Sequence, residues 1–163
     1  MRKLKKNNWV GLCVFIGVSF AGASGLSHGA EIVGLGNKCL DVTGGESANG
    51  TPVQMWKCDP GHENQTWTVD GGRIVWTGTK KCLDVSGGDR ANGTQVQIWQ
   101  CEAGNENQQW TLDNGRIVWT GTKKCLDVSG GGTANGTKVQ IWQCEAGNEN
   151  QAWTIKGLRS KSR

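Results

Sequence analysis

The sequence predicts an all-β protein folded as a compact, three-fold closed barrel. Three observations predict it. One unit of 43 residues recurs three times, so that Cys39, Cys82 and Cys125 are 43 apart, as are Cys58, Cys101 and Cys144. Apolar and polar residues alternate with a period of two inside each unit, and no stretch has the i, i+3, i+4, i+7 spacing of an amphipathic helix. Glycine supplies 26 of 163 residues and proline only 2, a turn-rich composition without the Pro/Gly excess of a disordered tract. The length suits one ordinary domain. A hydrophobic content of 36% is low for a large aliphatic core, so cross-links are expected to share the stabilisation.

The first thirty residues form a separate segment. Arg2, Lys3, Lys5 and Lys6 precede an apolar stretch from Trp9 to Phe20, and small residues follow from Ala21 to Gly25. This is the layout of a secretory signal peptide. The apolar stretch is shorter than the roughly 20 residues a bilayer needs, which argues against a membrane anchor. Cleavage is expected after Ala23 or Ala30. Cys13 leaves with the leader, and Gly11 and Leu12 before it do not suit lipid attachment. The expectation is a secreted, extracellular protein with no membrane insertion. Residues 1–30 hold four of the 18 basic residues and none of the 14 acidic ones, so the remainder is formally neutral. Arg159, Lys161 and Arg163 sit in the tail over 158–163, which is expected to be disordered. A body without a basic footprint disfavours nucleic-acid binding.

The units run over about 31–72, 73–115 and 116–157. Lys38–Val42 recurs as Lys81–Val85 and Lys124–Val128, and Asn-Gly-Thr recurs from Asn49, Asn92 and Asn135. Leu40 and Val42 alternate with Cys39 and Asp41, which puts Asp41 on the face opposite the aliphatic pair. The same alternation separates Val53 and Met55 from Gln54 and Trp56. Asn49-Gly50 before Thr51 is a tight-turn signal between two such strands. Trp67, which alternates with flanking Thr66 and Thr68, is expected in the core, and with it Trp110 and Trp153. By residue count, Val33 takes the place of Trp76 and Trp119, and His62 that of Asn105 and Asn148. Propellers share this period but need about four blades to close, and helical solenoids fail on periodicity.

The six remaining cysteines allow 15 pairings. Their equal separations within units select Cys39–Cys58, Cys82–Cys101 and Cys125–Cys144. No Cys-x-x-Cys is present and histidine numbers only 2, so zinc, or any metal or other cofactor, is not expected.

Catalysis finds little support. His62 is the one histidine beyond the leader, and no repeated nucleophile–histidine pairing exists. Asp41, Asp84 and Asp127 with Glu63, Glu106 and Glu149 could supply a glycosidase pair, but an active site repeated three times is the pattern of a binding module. Asp41, Gln54, Trp56, Asn64 and Gln65 combine an anionic acceptor, three amides and a flat apolar surface. Sugar recognition needs that mixture, because hydroxyls are satisfied by carboxylate and amide while a C–H-rich ring face lies on an aromatic. Trp56 equally suits a core position, and Asp41 a turn-stabilising one.

Cys-Leu-Asp-Val, then Asn-Gly-Thr-x-Val-Gln-Ile-Trp-x-Cys, then Asn-Gln-x-Trp, three times over, closely resembles the ricin B-type lectins, also called R-type lectins or family 13 carbohydrate-binding modules. The resemblance covers 31–157 and implies a β-trefoil of twelve strands with one sugar pocket per unit. It implies metal-free binding of galactose-type or xylan-type glycans. Asp41, Asp84 and Asp127 would accept hydrogen bonds from adjacent hydroxyls, and Trp56, Trp99 and Trp142 would be stacking platforms. Asn64, Asn107 and Asn150 would add a contact, with Gln65, Gln108 and Gln151 beside them. Gln54, Gln97 and Gln140 would close the pocket.

A trefoil used for protein binding or protease inhibition is the competing reading, as is a targeting module derived from a secreted glycosidase. The first predicts one distinctive loop, whereas these loops repeat almost verbatim. The chain reads as a free-standing monomer. Asn49, Asn64, Asn92 and Asn135 each begin an Asn-x-Thr sequon, usable only in a eukaryotic secretory pathway; Asn64 is expected bare, since a glycan there would obstruct its own pocket.

Overall fold

The computed structural model describes residues 29–157. The tail expected over 158–163, and the leader apart from Gly29 and Ala30, lie outside them. Each unit contributes four strands. The first holds β1 (Glu31–Gly34), β2 (Lys38–Val42), β3 (Val53–Lys57) and β4 (Trp67–Asp70). The second holds β5 (Arg73–Trp76), β6 (Lys81–Val85), β7 (Val96–Gln100) and β8 (Trp110–Asp113). The third holds β9 (Arg116–Trp119), β10 (Lys124–Val128), β11 (Thr137–Gln143) and β12 (Thr154–Lys156). There is no α-helix among the described residues.

Antiparallel pairs β4–β5, β8–β9 and β12–β1 join successive units. Backbone bonds between Ala30 and Trp67, from Trp110 N to Gly72 O and from Trp153 N to Gly115 O carry the ring onward. The hairpins β2–β3, β6–β7 and β10–β11 cap it. Their tips meet about a pseudo-three-fold axis, where β11 pairs with β3 and bridges link Pro52 to Gln97 and Gln95 to Gln140. This is a β-trefoil.

The alternation read from the sequence sets the layers. Val53 and Met55 are buried, while Gln54 is half-buried and Trp56 exposed. In β2 the alternation persists, but both faces are covered: Leu40 and Val42 enter the core, and Asp41 is buried on the other side. The core is one cluster of aliphatics from all three units, with Trp67, Trp110 and Trp153 inside it as expected. Each indole Nε1–H donates to a carbonyl, of Leu40, Leu83 and Leu126 respectively, so no indole polar group is buried unpaired.

One sequence expectation needs correction. Gly34, not Val33, takes the place of Trp76 and Trp119. Val33 pairs with Cys39, whereas Val75 pairs with Cys82 and Val118 with Cys125. The first unit's β1–β2 connection is therefore one residue shorter, and residue count misassigned the position. Asn49-Gly50 forms the tight turn expected between β2 and β3. Gly50 alone of the pair has positive φ, at 89°, and Thr51 N–H donates to Ala48 O, a type II arrangement. It lies at the tip of the long connection between β2 and β3.

Disulfides join Cys39 to Cys58, Cys82 to Cys101 and Cys125 to Cys144. Each ties the strand carrying the buried aspartate to the residues just after the exposed tryptophan, since Cys39 faces Trp56 across β2–β3. Peptide mapping without reduction should recover these three links and no link between units. Reduction should cost about 2–4 kcal/mol per bridge, read as a shift in the denaturant midpoint.

Candidate functional site

The geometry around Asp41 is built from three directions. Strand β2 presents the carboxylate, and β3, directly opposite, presents Gln54, whose Nε2 donates to Oδ1 at 2.9 Å. The 3₁₀ turn Glu63–Gln65 brings in Gln65, whose Nε2 donates to Oδ2 at 3.0 Å. Gln65 also donates to Lys57 O and accepts from Asp59 N–H. The second and third units repeat this on Asp84 with Gln97 and Gln108, and on Asp127 with Gln140 and Gln151. Both oxygens of each carboxylate are thus fixed, and each retains a lone-pair direction.

Beside each carboxylate stands a tryptophan that the core does not hold. Trp56 is 42% exposed, Trp99 36% and Trp142 36%, against 0% for Trp67. This difference separates surface indoles from core indoles in every unit. A cavity of about 690 Å³ is lined by Asp41, Gln54, Trp56, Asn64 and Gln65, so the first unit's five expected site residues converge. Gln65, Gln108 and Gln151 are buried behind the carboxylate with their amides fully engaged. They hold the aspartate, and Gln65 joins the cavity lining from behind it.

Asn64 is held by the turn cap. Its N–H donates to His62 Nδ1, as Asn107 N–H does to Asn105 Oδ1 and Asn150 N–H to Asn148 Oδ1. His62 therefore replaces asparagine as a capping acceptor. Gly45, at φ +66°, lies where a Cβ would come within 2.6 Å of Asn64 Oδ1. Glycine there lets the chain turn and gives the asparagine room.

Sequence reasoning missed Asn135, which lines the first cavity from the third unit. Its Oδ1 accepts from Lys57 N–H and Lys38 Nζ, both at 2.9 Å. Asn49 does the same for Gln100 N–H and Lys81, and Asn92 for Gln143 N–H and Lys124. Each unit's turn thus reaches the next unit's site. The threefold Asn-Gly-Thr was the available signal, but it read as a turn and a sequon.

Burial pushes the Asp84 and Asp127 carboxyls above the ordinary 3.8. Two glutamine amides on each oppose that shift, and Glu102 and Glu145 add a further upward push. No group of three or more metal-ligating side chains occurs among the described residues, and no helix there is long and apolar enough to cross a membrane.

The fold is a β-trefoil that repeats one carboxylate, amide and indole group in each unit, and the family it matches supports a carbohydrate-binding role. Residues 29–153 match the ricin-type β-trefoil lectin domain, and the chain belongs to that family. Nigrin b of Sambucus nigra is 40% identical over 45 residues, which is 28% of this chain and only 8% of nigrin b. ThreeFoil, a designed 3-fold symmetric protein, superposes with a TM-score of 0.70 at 28% identity, over 79% of this chain and 98% of its own. The C-half of the earthworm R-type lectin, solved with GalNAc, shares the fold at 23% identity and a TM-score of 0.68, over 78% of this chain and 96% of its own.

The raised carboxyls have a stability consequence. As pH falls, folded protein takes up protons on Asp84 and Asp127 before the unfolded chain does near 3.8. Stability contributed by these two groups therefore rises as pH falls through the folded-state values, and the cost of their buried charge is fully present above them. Carboxyl-carbon NMR titration should place both above 3.8, and Asp84→Ala or Asp127→Ala should flatten that part of the stability–pH curve.

Proposed function

We propose that this protein is a secreted lectin with one sugar pocket in each unit, taking galactose-type glycans. The observation that carries the reading is the threefold clamp: a buried carboxylate gripped by two glutamine amides beside a half-exposed indole. Asp41, Asp84 and Asp127 accept hydrogen bonds from two adjacent hydroxyls through their remaining lone pairs. Trp56, Trp99 and Trp142 receive the C–H face of the sugar ring. Asn64, Asn107 and Asn150 add an amide contact, Gln54, Gln97 and Gln140 close one side, and Gln65, Gln108 and Gln151 hold the carboxylate. The galactose-type choice rests on the shared fold with a lectin solved with GalNAc. A glycan array decides between galactose-type and xylan-type ligands.

Secretion is supported by the basic, apolar and small-residue order of the leader and by three disulfides, which persist in oxidising compartments. Cleavage falls after Ala23, not Ala30. Ala30 is 3% exposed and exchanges two backbone hydrogen bonds with Trp67, so a chain starting at Glu31 would lose part of the ring. N-terminal sequencing of secreted protein should begin at Ser24, and a start at Glu31 would refute this.

Single pockets of this shallow kind bind monosaccharide weakly, near the millimolar end of the scale. Three on one rigid body engage a dense glycan surface together, raising avidity by up to roughly 10²–10⁴. Asp127→Ala or Trp142→Ala should remove one binding equivalent in calorimetry while the domain stays folded, the lost platform costing about 1–2 kcal/mol. Successive removal of Asp41, Asp84 and Asp127 should lower monosaccharide stoichiometry stepwise and surface retention far more steeply. Retention that survives all three changes would make the pockets scaffold and leave a protein-binding trefoil.

A further inference from the structure

Each Asn-Gly tip lies against the site of another unit. Gly136 N–H donates to the carbonyl of Met55, the residue before Trp56, and β11 pairs with β3 at that point. Gly50 N–H and Gly93 N–H bond in the same way to Ile98 O and Ile141 O, just before Trp99 and Trp142. A Cβ added at Gly50 would lie 3.8 Å from Gln97 Oε1 and 3.9 Å from the six-membered ring of Trp99. One at Gly93 would stand equally near Gln140 and Trp142, and one at Gly136 would lie 3.9 Å from Gln54 Oε1. The tip therefore borders the amide that grips the carboxylate, and in the second and third units the indole edge as well.

The asparagine before each of these glycines is oriented by what it accepts. Asn135 Oδ1 receives Lys57 N–H and Lys38 Nζ, groups that can only donate. The oxygen must face them, and the planar amide then turns Nδ2 away. That Nδ2 makes no hydrogen bond among the described residues. Asn135 is exposed and lines the first cavity with Asp41, Gln54, Trp56 and Asn64. By contrast, Gln54 and Gln65 spend amide hydrogens on Asp41. Asn135 thus offers the cavity a donor whose orientation is already fixed, which lowers the ordering cost of binding.

Placement along β3 separates this donor from the carboxylate. Asp41 lies opposite Gln54, whereas Asn135 is anchored on Lys57, three residues further along the strand. At strand rise that is about 10 Å, more than the width of one hexose ring. The cavity, about 690 Å³, has the size of pockets that enclose drug-sized ligands, and one hexose does not fill it.

We infer that each pocket is shared between two units, and that Asn135 Nδ2 donates to a second sugar residue joined to the one on Trp56. Asn49 does the same beside Trp99, and Asn92 beside Trp142. The inference rests on the sugar-pocket reading and extends its ligand from a monosaccharide to a disaccharide unit. Two N–H groups suit the oxygens of any sugar, so this subsite selects for chain length and not for identity.

Asn135→Asp tests it, because a carboxylate still accepts from Lys57 N–H and Lys38 Nζ but has no proton to donate. Mature parent and variant are titrated with methyl β-galactoside and lactose, and with methyl β-xyloside and xylobiose. The indole N–H signals of Trp56, Trp99 and Trp142 report each site by NMR. In the parent, the disaccharide of the pair that binds should be held about three- to tenfold more tightly than the methyl glycoside, the margin of one hydrogen bond. In the variant that margin should vanish at Trp56, in a unit that carries no substitution, and persist at Trp99 and Trp142. Methyl glycoside affinity should stay unchanged at all three. Asn49→Asp, which moves the loss to Trp99, gives the same test should Asn135→Asp fail to fold. No margin in the parent, a margin kept at Trp56 in the variant, a loss at Trp142 instead, or an equal loss for both sugars would overturn the inference and leave the sugar pocket standing. Failure of all four sugars to bind the parent would overturn the sugar-pocket reading, and the inference with it.

Discussion

The grip of each Gln-x-Trp pair on two consecutive residues of the central strand is the interaction on which the rest depends. Trp67 binds the carbonyl of Leu40 and Gln65 binds the carboxylate of Asp41. Two neighbours in β2, one facing the core and one the other side, are thus held by two residues, one residue apart, where the chain enters β4. Gln65 further ties down Lys57 O and Asp59 N–H, which flank the half-cystine Cys58. Amide bonds to a charged group contribute more than neutral ones, typically about 1.5–3 kcal/mol each. Removing the glutamine would leave a buried carboxylate short of a donor, at a cost greater than the bond itself. Core packing and carboxylate placement therefore cannot vary independently in any unit.

The units are not self-contained. Each asparagine at a connection tip accepts from the backbone N–H just after the next unit's exposed tryptophan: Lys57, Gln100 and Gln143 follow Trp56, Trp99 and Trp142. The tips of the cap hairpins pair around the same axis. A 43-residue unit alone has neither the partner strand for its β4 nor the asparagine that fixes its indole-bearing strand. This is the usual logic of repeats, in which one supersecondary element cannot bury its apolar face without neighbours.

Strand periodicity made most of this visible in the sequence. Val53, Met55, Gln54 and Trp56 fall on the faces that alternation assigns, and the cysteine separations select the observed pairing. Alternation gives a face but not a depth. Gln65 therefore read as one more amide beside the cavity, when it lies behind the carboxylate with no free donor. Equal spacing of the repeats also hid a compensated difference: one residue is missing between β1 and β2, so counting by 43 pointed at Val33 when the backbone register points at Gly34. Asn49 was legible as a turn, because turn chemistry is local. Its reach to Lys81 and Gln100 is a tertiary contact that no local pattern encodes.

The junction at Gly34 also differs in how the ring closes. Turns at Gly71-Gly72 and Asn114-Gly115 link β4 to β5 and β8 to β9, so those junctions are covalently continuous. β12 and β1 are joined by no turn. Their three register pairs, Glu31 with Lys156, Ile32 with Ile155 and Val33 with Thr154, hold the seam with side-chain packing. Among the described residues every disulfide lies within a unit and none crosses this seam. Contacts that cross it include β11–β3 pairing, the Gly136 N–H bond to Met55 O and the Asn135 bonds to Lys38 and Lys57. Sub-global opening proceeds where contacts are fewest, and this junction lacks both the turn and the buried indole that secure the other two. The three-fold body therefore has one junction that differs by its own connectivity, and Asn135, which also lines the first cavity, bridges that junction and the site beside Asp41.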